Sequence, residues 1–101
     1  RWEVERGVMK IVRRDILDAF ALGHADVRGW ISSWVAEIEG ATWATPQELK
    51  ARYASASFLA HNTVIFNVKG DNYRLETRVA YKTSVIMIIW IGTHAEYTKR
   101  F

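Results

Sequence analysis

The chain has 101 residues, one proline and no cysteine; half of its residues are hydrophobic, and its net charge is +3. That length allows a single core, and that apolar fraction excludes a disordered chain. Lack of cysteine excludes a disulfide framework and any thiolate metal site, and makes a reducing compartment, the cytoplasm, the expected setting. The charge is unevenly spread: residues 1–49 carry six Lys/Arg against eight Asp/Glu, whereas residues 50–101 carry eight against three. So basic a second half suits a polyanion, although a merely solvated surface gives the same count.

Residues 1–8 are polar, precede Met9, and read as an upstream extension, leaving residues 9–101 as one domain. Residues 9–12 look like a short strand. Arg13, Arg14 and Asp15 follow at once and interrupt any signal-peptide apolar stretch. Ile16, Leu17 and Phe20 then fall at helical spacing, with Gly23 as the stop. The clearest helix covers residues 26–39, where Val27, Trp30, Ile31, Trp34, Val35 and Ile38 form one continuous stripe. Asp26 stands where an N-cap or first-turn acid belongs, and Gly40 closes the far end. Thr45-Pro46-Gln47-Glu48 starts another helix: a capping threonine, a proline with the φ preferred at the first position, and a glutamate completing the box. It should run to about Tyr53, with Leu49 and Tyr53 inward and Lys50 and Arg52 outward.

From residue 58 the period changes from 3.6 to 2. Phe58 and Leu59 begin a strand, and His61-Asn62 makes a turn. In residues 63–69, Val64, Phe66 and Val68 point one way and Ile65, Asn67 and Lys69 the other. Gly70-Asp71-Asn72 has hairpin-turn chemistry. In residues 73–82, Tyr73, Leu75, Thr77, Val79 and Tyr81 share a face opposite Arg74, Glu76, Arg78, Ala80 and Lys82. Thr83-Ser84 turns the chain into residues 85–91, apolar on both faces and so expected to be central and covered on both sides. Seven residues are far short of the ~20 that a membrane helix needs, so no membrane association is expected. The sum is α+β, an N-terminal strand and helices packed on an antiparallel sheet.

The longest apolar run ends in Gly92-Thr93-His94-Ala95-Glu96-Tyr97, which places titratable groups at a sheet's rim. His24, His61 and His94 have no metal-ligand spacing, no carboxylate pair is set for a cation, and no phosphate loop is present, so no metal or cofactor is expected. There remain Lys69, Arg74, Arg78, Lys82, His94, Tyr97 and Lys99. RNA self-cleavage needs such parts: a base for the 2′-OH proton, an acid for the leaving 5′-oxygen, and cations for the charge on phosphorus. Histidine titrates near neutrality, and arginine holds a phosphate with paired hydrogen bonds. Each residue also has a bland reading. His94 is equally a satisfied loop histidine, Arg74 and Arg78 pair readily with Glu76 or Asp71, Tyr97 packs a terminus, and Glu96 is solvated. His24 and His61 read as turn residues without function.

Thr45-Pro46, Lys50-Ala51-Arg52-Tyr53, Ser55-Ala56-Ser57, Val64-Ile65-Phe66-Asn67-Val68-Lys69-Gly70, Tyr73-Arg74-Leu75 and residues 92–97 together resemble the HigB family. These are toxins of type II toxin–antitoxin systems within the wider RelE-like group. The resemblance runs from about Met9 to the end. It implies a RelE-like α+β fold and a metal-independent endoribonuclease that cleaves messenger RNA, generally on the ribosome. It also implies silencing by a helix-turn-helix antitoxin of the HigA type. Carried over by position, His94 would transfer the proton, Lys69 and Arg74 would hold the phosphate, and Tyr97 would stack on a base or assist proton transfer. Arg78, Lys82 and Lys99 would bind RNA. Family members often carry a basic residue where this chain has Ala80 and Ile89. A non-catalytic module that binds RNA, the ribosome or only the antitoxin is the alternative reading.

Overall fold

A computed structural model describes residues 8–100. The expected extension lies outside the described residues except for Val8, which is exposed. In chain order the elements are β1 (Lys10–Val12), α1 (Arg14–Gly23), a 3-10 turn (Ala25–Val27), α2 (Arg28–Glu39), α3 (Pro46–Arg52), β2 (Ser57–Leu59), β3 (Thr63–Val68), β4 (Tyr73–Ala80), β5 (Val85–Thr93) and α4 (His94–Arg100).

The helices form where their apolar spacing requires. Leu17 on α1, Ile31, Trp34, Val35 and Ile38 on α2, and Leu49 on α3 are all buried, while Trp30 is half-buried against Trp34. At α3 the Thr45 hydroxyl accepts from the Glu48 N–H at 3.3 Å, and the Glu48 carboxylate accepts from the Ala44 N–H at 2.6 Å. Both bonds satisfy donors that a helix start leaves unpaired. Asp26 does not cap α2. It lies in the 3-10 turn, and its carboxylate accepts the Tyr73 hydroxyl proton at 2.8 Å.

The strands make one sheet of order β1-β5-β4-β3-β2. The pairs β2–β3, β3–β4 and β4–β5 are antiparallel, but β1 lies parallel to β5, so the sheet is mixed rather than wholly antiparallel. Between β1 and β5 the chain passes through three helices and three strands, a crossover long enough for a parallel neighbour. Periodicity within a strand reports which face a residue takes but not the direction of its partner.

Helices α1, α2 and α3 cover one face only. Val64, Phe66, Val68, Leu75, Val79, Ile86, Ile88 and Ile91 meet them in a single core. Thr77 points into this core with no exposure, and its hydroxyl donates to the Val64 carbonyl at 2.9 Å, which removes the cost of an unpaired polar group. The other face of β5 is not covered as its composition suggests. Met87 there is exposed and Trp90 is half-buried. Strand β4 also ends earlier than expected. Tyr81 to Ser84 form the turn, with Ser84 at a φ of 58°, so Lys82 belongs to a turn and not to a strand face.

Between Glu76 and Thr77 the β4–β5 register shifts: Thr77 pairs with Ile88 but Glu76 pairs with Trp90, leaving Ile89 as an extra residue. This bulge reverses the alternation of β5. Ile86, Ile88 and Ile91 face the core, while Met87, Trp90 and Gly92 share the open face with Arg78, Glu76 and Arg74, their cross-strand partners.

Phe66 is 1% exposed and meets the rings of Trp34 and Tyr53 edge-on. Phe66→Ala should cost about 3–5 kcal/mol in urea denaturation. Leu22→Ser, at a position 80% exposed, should change stability by less than about 0.5 kcal/mol in the same assay.

Candidate active site at the rim of the sheet

Strand β4 begins where β5 ends: Tyr73 pairs with Thr93 and Arg74 with Gly92. The His94 N–H donates to the Asn72 carbonyl at 3.1 Å, tying the start of α4 to the β3–β4 turn. In that turn Lys69 and Gly70 have φ of 52° and 67°, and the Asn72 N–H donates back to the Lys69 carbonyl. A left-handed backbone at Lys69 costs a non-glycine residue roughly 1 kcal/mol and takes its side chain out of the strand's alternation. Lys69 therefore sits at the rim, exposed, rather than on the face assigned by period 2.

Helix α4 starts with a capping box. The Thr93 hydroxyl accepts from the Glu96 N–H at 3.1 Å, and the Glu96 carboxylate accepts from the Thr93 N–H at 2.9 Å. The Thr93 N–H bond, then the Thr93 hydroxyl, hold the Glu96 carboxyl below its ordinary pKa; His24 and Lys99 act in the same direction. Glu96, although exposed, is thus the clasp that starts α4, and His94 is that helix's first residue, held exposed at the rim. The signal was legible as Thr-x-x-Glu, the same pattern that marks α3.

Three aromatic and cationic contacts seat α4 on the open face. Tyr97 lies 6.3 Å from the Trp90 ring, the Arg74 guanidinium is 5.9 Å from the Tyr97 ring, and Arg100 stands 4.6 Å over Trp90. Arg100 also donates to the Glu76 carboxylate at 2.6 Å. Arg74 is mostly buried, with one guanidinium nitrogen 3.2 Å from Asp71 and 3.4 Å from the Tyr73 carbonyl. Behind the rim, His24 stacks on Phe20 at 3.8 Å, with its Nδ1 3.0 Å from the Phe20 carbonyl, and meets Tyr73 edge-on. The hydrogen bond to Asp26 raises the Tyr73 pKa and keeps the hydroxyl protonated.

Of the residues singled out above, Lys69, Arg74, His94 and Tyr97 come to one end of the sheet. Arg78 does not join them. It is four residues further along β4, about 13 Å at 3.3 Å per residue, on the same face. Lys82 lies in the β4–β5 turn at the opposite end, and Lys99 is exposed on the last turn of α4. Trp90 and Arg100 join these residues at the rim but were hidden in an apolar run and a terminal charge pair, whereas the Thr93–Glu96 clasp carried a local pattern. Ile89 is the bulge residue and half-buried. Among the described residues no group of three His, Cys, Asp or Glu is placed to hold a metal ion.

Helices on one face of a five-stranded mixed sheet give an α+β fold consistent with a RelE-like toxin. The chain belongs to the HigB toxin family: the family profile, described as the RelE-like toxic component of a toxin-antitoxin system, matches residues 28–100. No curated protein matches the chain. Membership in a toxin–antitoxin system implies an antitoxin partner. No helix among the described residues is long and apolar enough to cross a membrane.

A Cβ on Gly92 would collide with the Trp90 ring and meet the Glu96 carboxylate at 2.8 Å. Gly92→Ala should therefore displace both, and loosen α4, seen as faster amide exchange over residues 94–100 with β3 and β4 unchanged. The clasp also sets a pH dependence. Because the folded pKa of Glu96 is depressed, its stabilising contribution is complete above the ordinary carboxyl value of 4.5 and is lost as pH falls through the lowered folded value. Amide exchange of α4 should accelerate in that acid window in the parent, and Glu96→Gln should abolish the step.

Proposed function

We propose that this toxin is a metal-independent endoribonuclease that cleaves messenger RNA on the ribosome, in the cytoplasm, and is neutralised by a HigA-type helix-turn-helix antitoxin. The observation that carries the reading is the meeting of His94, Tyr97, Arg74 and Lys69 at one rim, produced by the Tyr73–Thr93 and Arg74–Gly92 pairings. The base removes the 2′-OH proton, the 2′-oxygen attacks the adjacent phosphorus, and the P–O5′ bond breaks as the acid protonates the leaving oxygen. A 2′,3′-cyclic phosphate and a 5′-hydroxyl result. His94, exposed at the rim, takes one of the proton roles, since an imidazole can accept or donate a proton.

Arg74 holds the phosphate. One of its nitrogens is anchored by Asp71 and the Tyr73 carbonyl, which fixes the guanidinium plane and leaves its remaining donors for phosphate oxygens. Lys69 contributes a point charge from the turn. The Tyr97 ring, beside Trp90 and Arg74, assists proton transfer or offers a stacking surface for a base. Arg78 extends the cationic track along β4. Lys82 and Lys99 lie away from the rim and strengthen RNA binding through long-range, salt-sensitive attraction.

In a translating extract, His94→Ala should reduce message cleavage by roughly 10²- to 10⁴-fold while the protein remains folded and bound by its antitoxin. Arg74→Lys should also lose activity, because a lysine cannot replace a guanidinium held at two points. Undiminished growth arrest from both His94→Ala and Tyr97→Ala proteins would refute the site, and an extract whose messages stay intact with the parent protein would refute the endoribonuclease.

A further inference from the structure

The register of the sheet brings an apolar row onto the open face, away from the rim. Val12 pairs with Met87, Met87 with Arg78, Arg78 with Thr63, and Thr63 with Leu59, so these five residues cross all five strands on one side. Val12, Met87 and Leu59 are 41%, 37% and 47% exposed and belong to the few large hydrophobic side chains left in solvent among the described residues. At five strands about 4.8 Å apart, the row spans about 19 Å. Arg78, at its centre, has no ion-pair or hydrogen-bond partner among the described residues. Beside it lies a depression of about 250 Å³, with Val85 and Met87 on one side and His61 and Arg78 on the other.

Aliphatic side chains around one unpaired guanidinium suit a protein segment better than RNA. A base stacks on aromatic rings, and those of this face, Trp90 and Tyr97, lie at the other end with α4. The neighbouring charges agree. Lys10 stands one row away on β1, and the nearest acid of the face, Glu76, is already held by Arg100. An incoming carboxylate would meet only cations there. The family supplies the partner, since a toxin of this kind has an antitoxin.

We propose that the antitoxin lays an amphipathic segment across the Val12–Met87–Leu59 row, with an acidic side chain on Arg78 and an apolar one in the depression beside it. The segment takes the arginine that extends the cationic track from Arg74, so toxin occupied in this way has lost part of its RNA path. The docking rests on the geometry of this row and on family membership, not on the proposed activity. Only its inhibitory consequence rests on the proposed endoribonuclease.

The test uses the full chain and its purified cognate antitoxin. Leu59→Asp combined with Met87→Asp should weaken antitoxin binding by roughly thirtyfold or more, measured by calorimetry, and should leave growth arrest intact and no longer relieved by antitoxin. Both sites are exposed, and the double variant should keep the parent's circular dichroism spectrum. Hydrogen exchange on the parent complex provides a second reading without substitutions, with protection expected in β1, β2 and β5. Parental affinity in the double variant overturns the proposal. So does protection confined to the helical face around Trp30 and Tyr53, where Glu37 already engages Arg52 and the Tyr53 hydroxyl. If the double variant instead loses binding to a single-stranded RNA oligonucleotide and keeps the antitoxin, the row belongs to RNA. Failure of the endoribonuclease reading shows separately, as a parent that binds antitoxin through this row but cleaves no message.

Discussion

One extra residue in β5 decides which side of the sheet the site occupies. Strict alternation from Ile86 and Ile88 would carry Trp90 and Gly92 into the core and turn Ile91 outward. The bulge between the Thr77–Ile88 and Glu76–Trp90 pairs reverses this. Ile91 stays buried beneath the helices, and Trp90 emerges opposite Glu76. Everything specific to the rim follows: Trp90 becomes the surface on which Tyr97 and Arg100 settle, and Gly92 leaves the space that the Trp90 ring and the Glu96 carboxylate fill. Burial reinforces the arrangement. A one-residue slip of the strand would expose its core-facing isoleucines.

The rim is held from both sides by groups that do different work. On the core side, Tyr73 is locked by Asp26 and by the stacked Phe20–His24 pair, so the first residue of β4 and the last of β5 are backed by a polar and aromatic cluster. On the open side, α4 is only seven residues long and buries none of them fully, too short to persist by helix propensity alone. Its order comes from the Thr93–Glu96 clasp at one end and the Arg100–Glu76 pair at the other. His94 and Tyr97 thus ride on a small element pinned at two points to a rigid sheet.

Much of this was readable in the chain. The stripe of α2, the Thr45–Glu48 start of α3 and the alternation of β3 and β4 follow from periods and capping patterns that operate within a few residues. Lys69, Arg74, His94 and Tyr97 could be singled out because their chemistry differs from the apolar runs around them. Other features lie beyond such local signals. The parallel seat of β1 depends on a strand more than seventy residues away. The left-handed turn that moves Lys69 to the rim, and the early end of β4 that leaves Lys82 in a turn, depend on how hairpins close. Glu96 lay within reach, since Thr-x-x-Glu is a local pattern, but proximity to His94 made it look like a titratable group rather than a helix start.

Amino-acid order by itself therefore determined the α+β class, helices α1 to α3, the apolar faces of β3 and β4 and the identity of the rim's histidine, tyrosine and cations, because each rests on short-range spacing and side-chain chemistry. Tertiary structure alone decided that the open face of β5 is covered by α4 at one end and exposed at Met87, that Trp90 and Arg100 join the rim, that Arg78 stands apart from Arg74, and that Val12, Met87 and Leu59 form a row. These depend on the pairing register and on one bulge, set by the competition of whole strands for a single core. No local pattern in the chain records that competition.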